Sequence, residues 1–338
     1  MKKDNFIILP ELTRANAFTE TATRKALPAV AVEKDWWVTA VLRALFALPY
    51  SENLSFKGGT SLSKCYNLIE RFSEDIDIAV DREFLGFGGN LSKTQINDKL
   101  RRAACSFMRE KLQFDMIKEL ENQEINTKLF SVNVNITPVT TTDPEIIEIV
   151  YQSLFDDNDY IKPIVKIEVS GRSMNEPLQN VKLQSIVDEV FADMPFKNPL
   201  FNVNAVVPQR TFLEKIFLLH EEFAKPQEFM RTERMSRHLY DLGKIMETQI
   251  AEEALKNKEL YNSVVEHRRI FIGLKDFDYN TLATETISII PPESVVELWK
   301  ADYETMQRTM IYGSSLPFNK LIEKIKQLNE KINEIKKN

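Results

Sequence analysis

Between Phe56 and Val80 the chain reads FKGGTSLSKCYNLIERFSEDIDIAV, and few folds accommodate that order. A β-type run, Leu54 to Phe56, meets a glycine pair. An amphipathic helix follows over Ser61 to Ile69, then a second strand over Ile76 to Val80. Successive side chains of a strand face opposite sides, so Asp75 and Asp77 share one face while Ile76 and Ile78 anchor the other. Gly58 and Gly59 let the backbone come close to a ligand, and Thr60 and Ser61 offer donors at a helix start, which suits phosphate. Gly58, Gly59, Gly86, Gly88 and Gly89 are five of the chain's nine glycines, so backbone freedom concentrates here. Two neighbouring carboxylates repel unless a cation or donors keep them ionised. An oxygen-ligated Mg²⁺, with Mn²⁺ as second choice, is the natural partner because it shares its shell with phosphates and water. An Asp-x-Asp alone also describes a half-exposed strand with two solvated acids. The glycine pair entering a helix just before it makes the phosphate reading more specific.

The rest of the chain supplies the context. Thr13 to Ala26 and Val32 to Ala47 read as helices, the second with Trp36, Trp37, Val41, Leu42 and Leu45 on its apolar side. GFGGN (86–90) is a loop, and Lys93 to Leu120 is largely helical. The period then changes to two. KLFSVNVNITPV, EIIEIVYQSL, KPIVKIEVSGR, VKLQSIVDEV and FNVNAVV are β-rich runs suggesting a meander. From Pro208, placed where a helix start tolerates proline, the pattern is helical nearly to the end, broken at Pro291-Pro292. The expected organisation is an α+β fold: a domain over residues 1–207 with a mixed sheet, then a mostly helical domain over 208–338. The tail places Leu321, Ile325, Leu328, Ile332 and Ile335 on one stripe, a helix expected to pack on its own domain or, less commonly, on a partner.

Composition narrows the chemistry. Two cysteines, Cys65 and Cys105, form no metal or redox spacing, and with three histidines in the chain a thiolate or imidazole metal site is disfavoured. Any metal would be a hard ion on oxygen ligands. Phe6 to Leu9 is too short for a signal-peptide core, and no apolar run approaches the roughly 18 residues of a membrane span. A cytoplasmic protein without membrane contact is expected. The net charge of −6 argues against indiscriminate polyanion binding but leaves local nucleic-acid contacts open.

A third carboxylate strengthens the site. In VKIEVS (165–170), Lys166, Glu168 and Ser170 face one way and Val165, Ile167 and Val169 the other. Two acids on one strand and one on a neighbour can hold metal ions for in-line displacement at phosphorus. Equally, Glu168 could pair with Lys166 or across the sheet. Farther on, Phe212, Ile216, Leu219 and Phe223 form a helical stripe with Lys215 at its edge, where a lysine either snorkels to water or meets a triphosphate. On a later helix Arg231, Arg234, His238 and Asp241 share one face, with Arg237 nearby, opposite Met235, Leu239, Leu242 and Met246. A solvated salt-bridge face is the default for such a pattern, with His238 a polar-face residue.

The order Gly-Gly-Thr-Ser, then Asp-Ile-Asp, then Glu168 on a later strand resembles the DNA polymerase beta-type nucleotidyltransferase superfamily. KGGTSLSKCY…RFSEDIDIAV is similar, more narrowly, to the abortive-infection nucleotidyltransferase toxins of the AbiEii/AbiGii type. EKDWWVTAVL (33–42) and ADYETMQRTMIYG (301–313) also look familial, so the resemblance spans most of the chain. It implies a polymerase-beta-like catalytic domain, over which the helical remainder would close on the nucleotide. Asp75, Asp77 and Glu168 would hold Mg²⁺; Lys57, Gly58, Gly59, Thr60, Ser61 and Ser73 would cradle the phosphates. It also implies a triphosphate contact for Lys215 in RTFLEKIFLLH. For Asp241 in RHLYDLGKI it implies acceptor orientation, base action or a structural pair with an arginine. Thr60 stands where the superfamily often has serine, and the interval to Asp75 is long, which leaves open which hydroxyl meets phosphate. The implied protein is a phage-defence toxin using an NTP, acting on tRNA, and opposed by a separately encoded antitoxin, commonly a DNA-binding autoregulator. A tRNA enzyme would show a basic track, through Arg231, Arg234, Arg237 and His267-Arg268-Arg269. The rivals are an antibiotic-modifying, small-molecule nucleotidyltransferase with an enclosed acidic pocket, and a non-catalytic nucleotide-binding module.

Overall fold

The computed structural model describes residues 5–73, 75–135, 145–156, 161–174 and 176–335. Among these described residues, seven strands and twelve α-helices follow from the periodicities above, though not all where the sequence suggests. The chain divides into two compact units: Met1–Cys65 with Phe72–Val206, and Tyr66–Arg71 with Val207–Asn338.

The first unit holds β1 (Leu54–Lys57), β2 (Asp75–Val80), β3 (Phe130–Asn135), β4 (Ile146–Tyr151), β5 (Ile164–Ser170), β6 (Leu178–Leu183) and β7 (Phe201–Val206). They form one mixed sheet in the order β3-β4-β5-β2-β1-β7-β6. Residues 136–139 of the KLFSVNVNITPV run lie outside the described residues. The expected meander is only partly present. β3, β4 and β5 do run antiparallel in succession, but β5 then pairs in parallel with β2 and β7 in parallel with β1. The centre of the sheet is therefore made by β1 and β2, which come earlier in the chain. The later strands add on both sides by long crossovers, as parallel pairing requires. VKLQSIVDEV is not one strand either. β6 ends at Leu183, and the Ser185 hydroxyl caps a short helix by accepting from the Asp188 amide at 3.0 Å. A good cap thus overrides the β-branched composition.

The helices of this unit are α1 (Glu11–Lys25), α2 (Ala29–Ala47), α3 (Gly58–Lys64), α4 (Arg101–Phe107), α5 (Gln113–Asn122) and α6 (Ile186–Val190). Trp36, Trp37, Val41, Leu42 and Leu45 of α2 are all buried, and Trp37 stacks on Tyr151 at the end of β4, rings 4.8 Å apart. Each buried side chain of this size contributes about 1.5–3 kcal/mol. Less expected is the burial of Glu33 and Lys34, with half-buried Asp35 beside them. Glu33 accepts from Ser153 Oγ at 2.6 Å and the Leu154 amide at 2.8 Å. Lys34 donates to the carbonyls of Lys162, at 2.8 Å, and Ile164. Asp35 accepts from Lys64 and, at 2.9 Å, from the Ile186 amide. One turn of helix thereby fixes the exit of β4, the entry of β5 and the end of α3. Replacing Lys34 by methionine removes a charged donor from both carbonyls, although that of Lys162 keeps the Ile164 amide at 2.8 Å. It should cost about 1–3 kcal/mol in all, read as a lowered urea midpoint.

The second unit holds α7 (Pro208–Phe223), α8 (Ser236–Ile245), α9 (Gln249–Lys256), α10 (Lys258–His267), α11 (Val296–Thr309) and α12 (Phe318–Asn333). Pro208 opens α7, where its missing N–H costs nothing. The tail stripe is α12; Leu321, Ile325, Leu328 and Ile332 are buried, and the helix packs on α8 within its own unit. At Gly243 of α8 a Cβ would stand 2.7 Å from Leu321 Cδ1, so glycine makes the close approach possible. Among the described residues no helix is long and apolar enough to cross a membrane.

Candidate active site

The helix expected over Ser61 to Ile69 begins earlier, at Gly58, and stops at Lys64. Asn67 adopts φ 51°, a left-handed conformation that asparagine tolerates and that ends the helix. Lys57, Gly58 and Gly59 are half-buried, whereas Thr60 and Ser61 are buried. The Thr60 hydroxyl donates to the carbonyl of Asp75, pinning the glycine turn to the first residue of β2. Both hydroxyls thus turn into the fold, and the turn presents outward its backbone and Lys57, whose Nζ lies 3.3 Å from Ser173 Oγ. Ser73 is half-buried in the approach to β2.

The carboxylates fall as their spacing dictates. In β2 the pattern alternates half-buried Asp75 and Asp77 with buried Ile76 and Ile78. β5 alternates likewise, with Glu168 half-buried between Ile167 and Val169. The parallel register sets Asp77 directly beside Glu168, Asp75 beside Lys166, and Ile76 beside Ile167. Apolar residues therefore line one face of the central strands and the three acids the other. Lys166 reaches towards Glu148 of β4, at 3.9 Å. Gly58, at φ +80°, lies beneath Asp77: a Cβ there would stand 1.9 Å from Asp77 Oδ2 and 2.7 Å from its Cγ. The glycine turn and the second aspartate are consequently one construction. Gly58→Ala would strain the backbone and displace the Asp77 carboxylate. It should lower nucleotide transfer by at least about 100-fold, as misplacement of a reacting group by 1 Å can do; an unchanged initial rate would refute the coupling of turn and carboxylate.

This donor set suits a hard divalent cation: three carboxylates on one sheet face, two of them adjacent in register. Among the described residues no three His, Cys, Asp or Glu side chains converge on one point. Asp77 and Glu168 are direct neighbours on paired strands, about 5 Å apart, and Asp75 lies two residues before Asp77 on the same face.

Lys215 and Asp241 belong to the second unit and are joined there. Asp241 is 0 % exposed, Arg71 2 %, Lys215 7 % and His238 9 %. Arg71 grips Asp241 through Nε and Nη2, both at 2.7 Å, and Lys215 Nζ lies 2.9 Å from Asp241 Oδ2 and 3.4 Å from His238 Nδ1. The face expected to be solvated is split: Arg231 and Arg234 are exposed ahead of α8, whereas His238 and Asp241 are buried on it, as are Leu239 and Leu242. Burial by itself would raise the Asp241 carboxyl, but the Arg71 guanidinium and Lys215 ammonium outweigh it and hold the group well below the usual carboxylate range. Burial pushes Lys215 down, against the attraction of Asp241.

The arginine pair expected as one alternative for Asp241 is present, and its arginine is Arg71, which the sequence did not single out. That residue ends the segment Tyr66–Arg71, drawn from between α3 and β2 into the second unit. There it bridges antiparallel to Ile311, while the Glu70 carbonyl accepts from the amides of Tyr312 and Gly313 at 3.1 and 3.3 Å. Glu70 also takes Lys244 Nζ at 2.6 Å. The MIYG stretch thus serves as a dock for that segment. The proposed basic track is thinned: Arg268 is buried and locked by Glu221, and Arg231 is held by Glu222 through Nε and Nη2 at 2.9 and 2.6 Å. Arg234 and Arg269 remain exposed.

A family model described as "Nucleotidyl transferase AbiEii toxin, Type IV TA system" matches residues 40–327. The chain belongs to the AbiEii family. It is a nucleotidyltransferase of the type IV toxin–antitoxin kind, and the family generally uses an NTP and a divalent metal. The AbiEii-family match takes in the glycine turn, all three carboxylates, Lys215 and Asp241. Among solved structures the fold is similar to MenT4, a nucleotidyltransferase toxin from Mycobacterium tuberculosis H37Rv, at 14 % identity and a TM-score of 0.50, over 97 % of this chain and 91 % of that one. A candidate nucleotidyltransferase from H. pylori aligns at 12 % identity and a TM-score of 0.44, covering 91 % of this chain and 96 % of the other. No curated protein matches this AbiEii-family sequence.

Proposed function

We propose that the protein transfers a nucleoside monophosphate from an NTP to tRNA, with pyrophosphate leaving, as the toxin of a phage-defence pair opposed by a separately encoded antitoxin. The observation that carries the chemistry is the register of Asp77 with Glu168 above the Gly58 turn. Asp75, Asp77 and Glu168 would hold Mg²⁺, which when bound neutralises charge developing at the α-phosphate and the leaving pyrophosphate. Gly58 and Gly59 bring backbone close to the phosphates because no Cβ intervenes. Lys215 supplies a point charge to the triphosphate, a task that needs no bidentate geometry. Asp241, gripped by Arg71, orients the Lys215 ammonium.

The test incubates the protein with Mg²⁺, each α-³²P-labelled NTP in turn and total bacterial tRNA, then resolves the products on a denaturing gel. Label on tRNA that depends on Asp77 is expected, and the same gel identifies the nucleotide. Label on the protein or on a small molecule instead would overturn the tRNA assignment while keeping the enzyme.

A further inference from the structure

His238 sits three residues before Asp241 on α8, on the side expected to face water, and the structure buries it. Its Nδ1 lies 3.4 Å from Lys215 Nζ, at the long end of hydrogen bonding. An ammonium has three donors and no acceptor, so it can only donate to this nitrogen. As a hydrogen bond, the contact needs a neutral imidazole with its proton on Nε2. Its surroundings favour that state. Burial is the largest influence pushing the ring below its ordinary pKa, followed by Lys215 from α7 and Arg237 from α8. Arg71 acts the same way, and Asp241 opposes. α11 brings Asp302 to the start of α8, where the amide and hydroxyl of Ser236 take its Oδ2 at 2.9 and 2.5 Å.

We propose that His238 is a positioning residue for Lys215: its bare Nδ1 and Asp241 Oδ2 occupy two of the three ammonium protons and fix in place the ammonium that the proposed function assigns to the triphosphate. This rests on the nucleotidyl-transfer reading above. With Asp241 alone, the lysine could turn about a single contact and settle with all its protons on the carboxylate. A second acceptor at a fixed place removes that freedom before substrate arrives. Protonation of His238 would delete the acceptor and set a like charge against Lys215, and burial keeps that step well below the ordinary histidine range.

Three variants separate this from packing. His238→Asn places an amide oxygen near the Nδ1 position, His238→Gln places its polar end near Nε2, and His238→Leu removes the acceptor. Initial transfer rates against NTP concentration at neutral pH are the readout. His238→Leu and His238→Gln should raise KM for NTP about 10-fold, the worth of one hydrogen bond, with a smaller fall in kcat. His238→Asn should stay within about threefold of the wild type. A wild-type KM in a folded His238→Leu, or equal losses in the Asn and Leu variants, overturns the proposal. Imidazole ¹⁵N spectra decide independently of turnover, since the chain has three histidines. An unprotonated His238 Nδ1 at neutral pH whose shift moves in Lys215→Met supports the contact; a protonated Nδ1 overturns it. A wild type that transfers nothing sinks the parent reading alone, and the ¹⁵N spectra still decide whether His238 holds the lysine.

Discussion

Asp77→Asn is expected to reduce nucleotide transfer by at least about 10³-fold while leaving the melting temperature within a few degrees of the wild type. The two effects separate because of where Asp77 stands. Its side chain is half-buried on the polar face of β2, opposite the apolar stripe of Ile76, Ile78, Ile167 and Val169 that holds the central strands together. Asparagine keeps the volume and the fit above Gly58, so packing is undisturbed. What disappears is one negative charge and an anionic oxygen beside Glu168. For a hard cation shared with phosphates, charge on the ligand dominates affinity. Measuring label transfer with α-³²P NTP together with a calorimetric melt checks both halves. Full activity in this variant would remove the three carboxylates as the metal-holding set; inactivity accompanied by collapse of the melt would make Asp77 a folding residue.

The largest effect on stability is expected at the Arg71–Asp241 pair. Both side chains are buried, the contact is bidentate, and Lys215 and His238 adjoin the same carboxylate. Arg71→Met leaves Asp241 with Lys215 as its main cationic partner, and breaking a buried pair from one side costs about 3–5 kcal/mol. At roughly 2–4 °C per kcal/mol for a body of this size, the melting temperature should fall by about 6–20 °C. The reverse deletion, Asp241→Leu, should be similarly harmful. The double variant should recover part of the loss, because it leaves neither charge stranded. The pH dependence has a definite sign. Asp241 is held below its unfolded value, so its contribution is fully present above the ordinary carboxylate pKa and is lost as pH falls towards the folded one. The gap between wild type and Arg71→Met is therefore expected to be widest near neutrality and to narrow below about pH 4. Additive single-variant effects, or a gap independent of pH, would show that the pair contributes little.

The same two clusters mark how far the sequence alone reaches. Asp75-Ile76-Asp77 and Lys166-Ile167-Glu168 specify their faces by themselves, because a period of two admits only one burial of the isoleucines and valines. The glycine turn, the α+β class and the helical second half are legible for similar local reasons. Pairings among distant segments are not. Nothing in FNVNAVV says that β7 lies parallel to β1, and nothing in VKLQSIVDEV weighs the Ser185 cap against its β-branched residues. Arg71 reads as an ordinary charged residue in a loop, and the face of α8 with His238 and Asp241 reads as solvated, since helical periodicity tells which residues share a side but not what covers it. Only the tertiary structure decides that the side is covered, by drawing Tyr66–Arg71 into the second unit and setting a buried guanidinium on Asp241. Local stereochemistry and hydrophobic period determined most of the elements and the carboxylate face. Long-range packing, with the desolvation it imposes on charged groups, decided the partners.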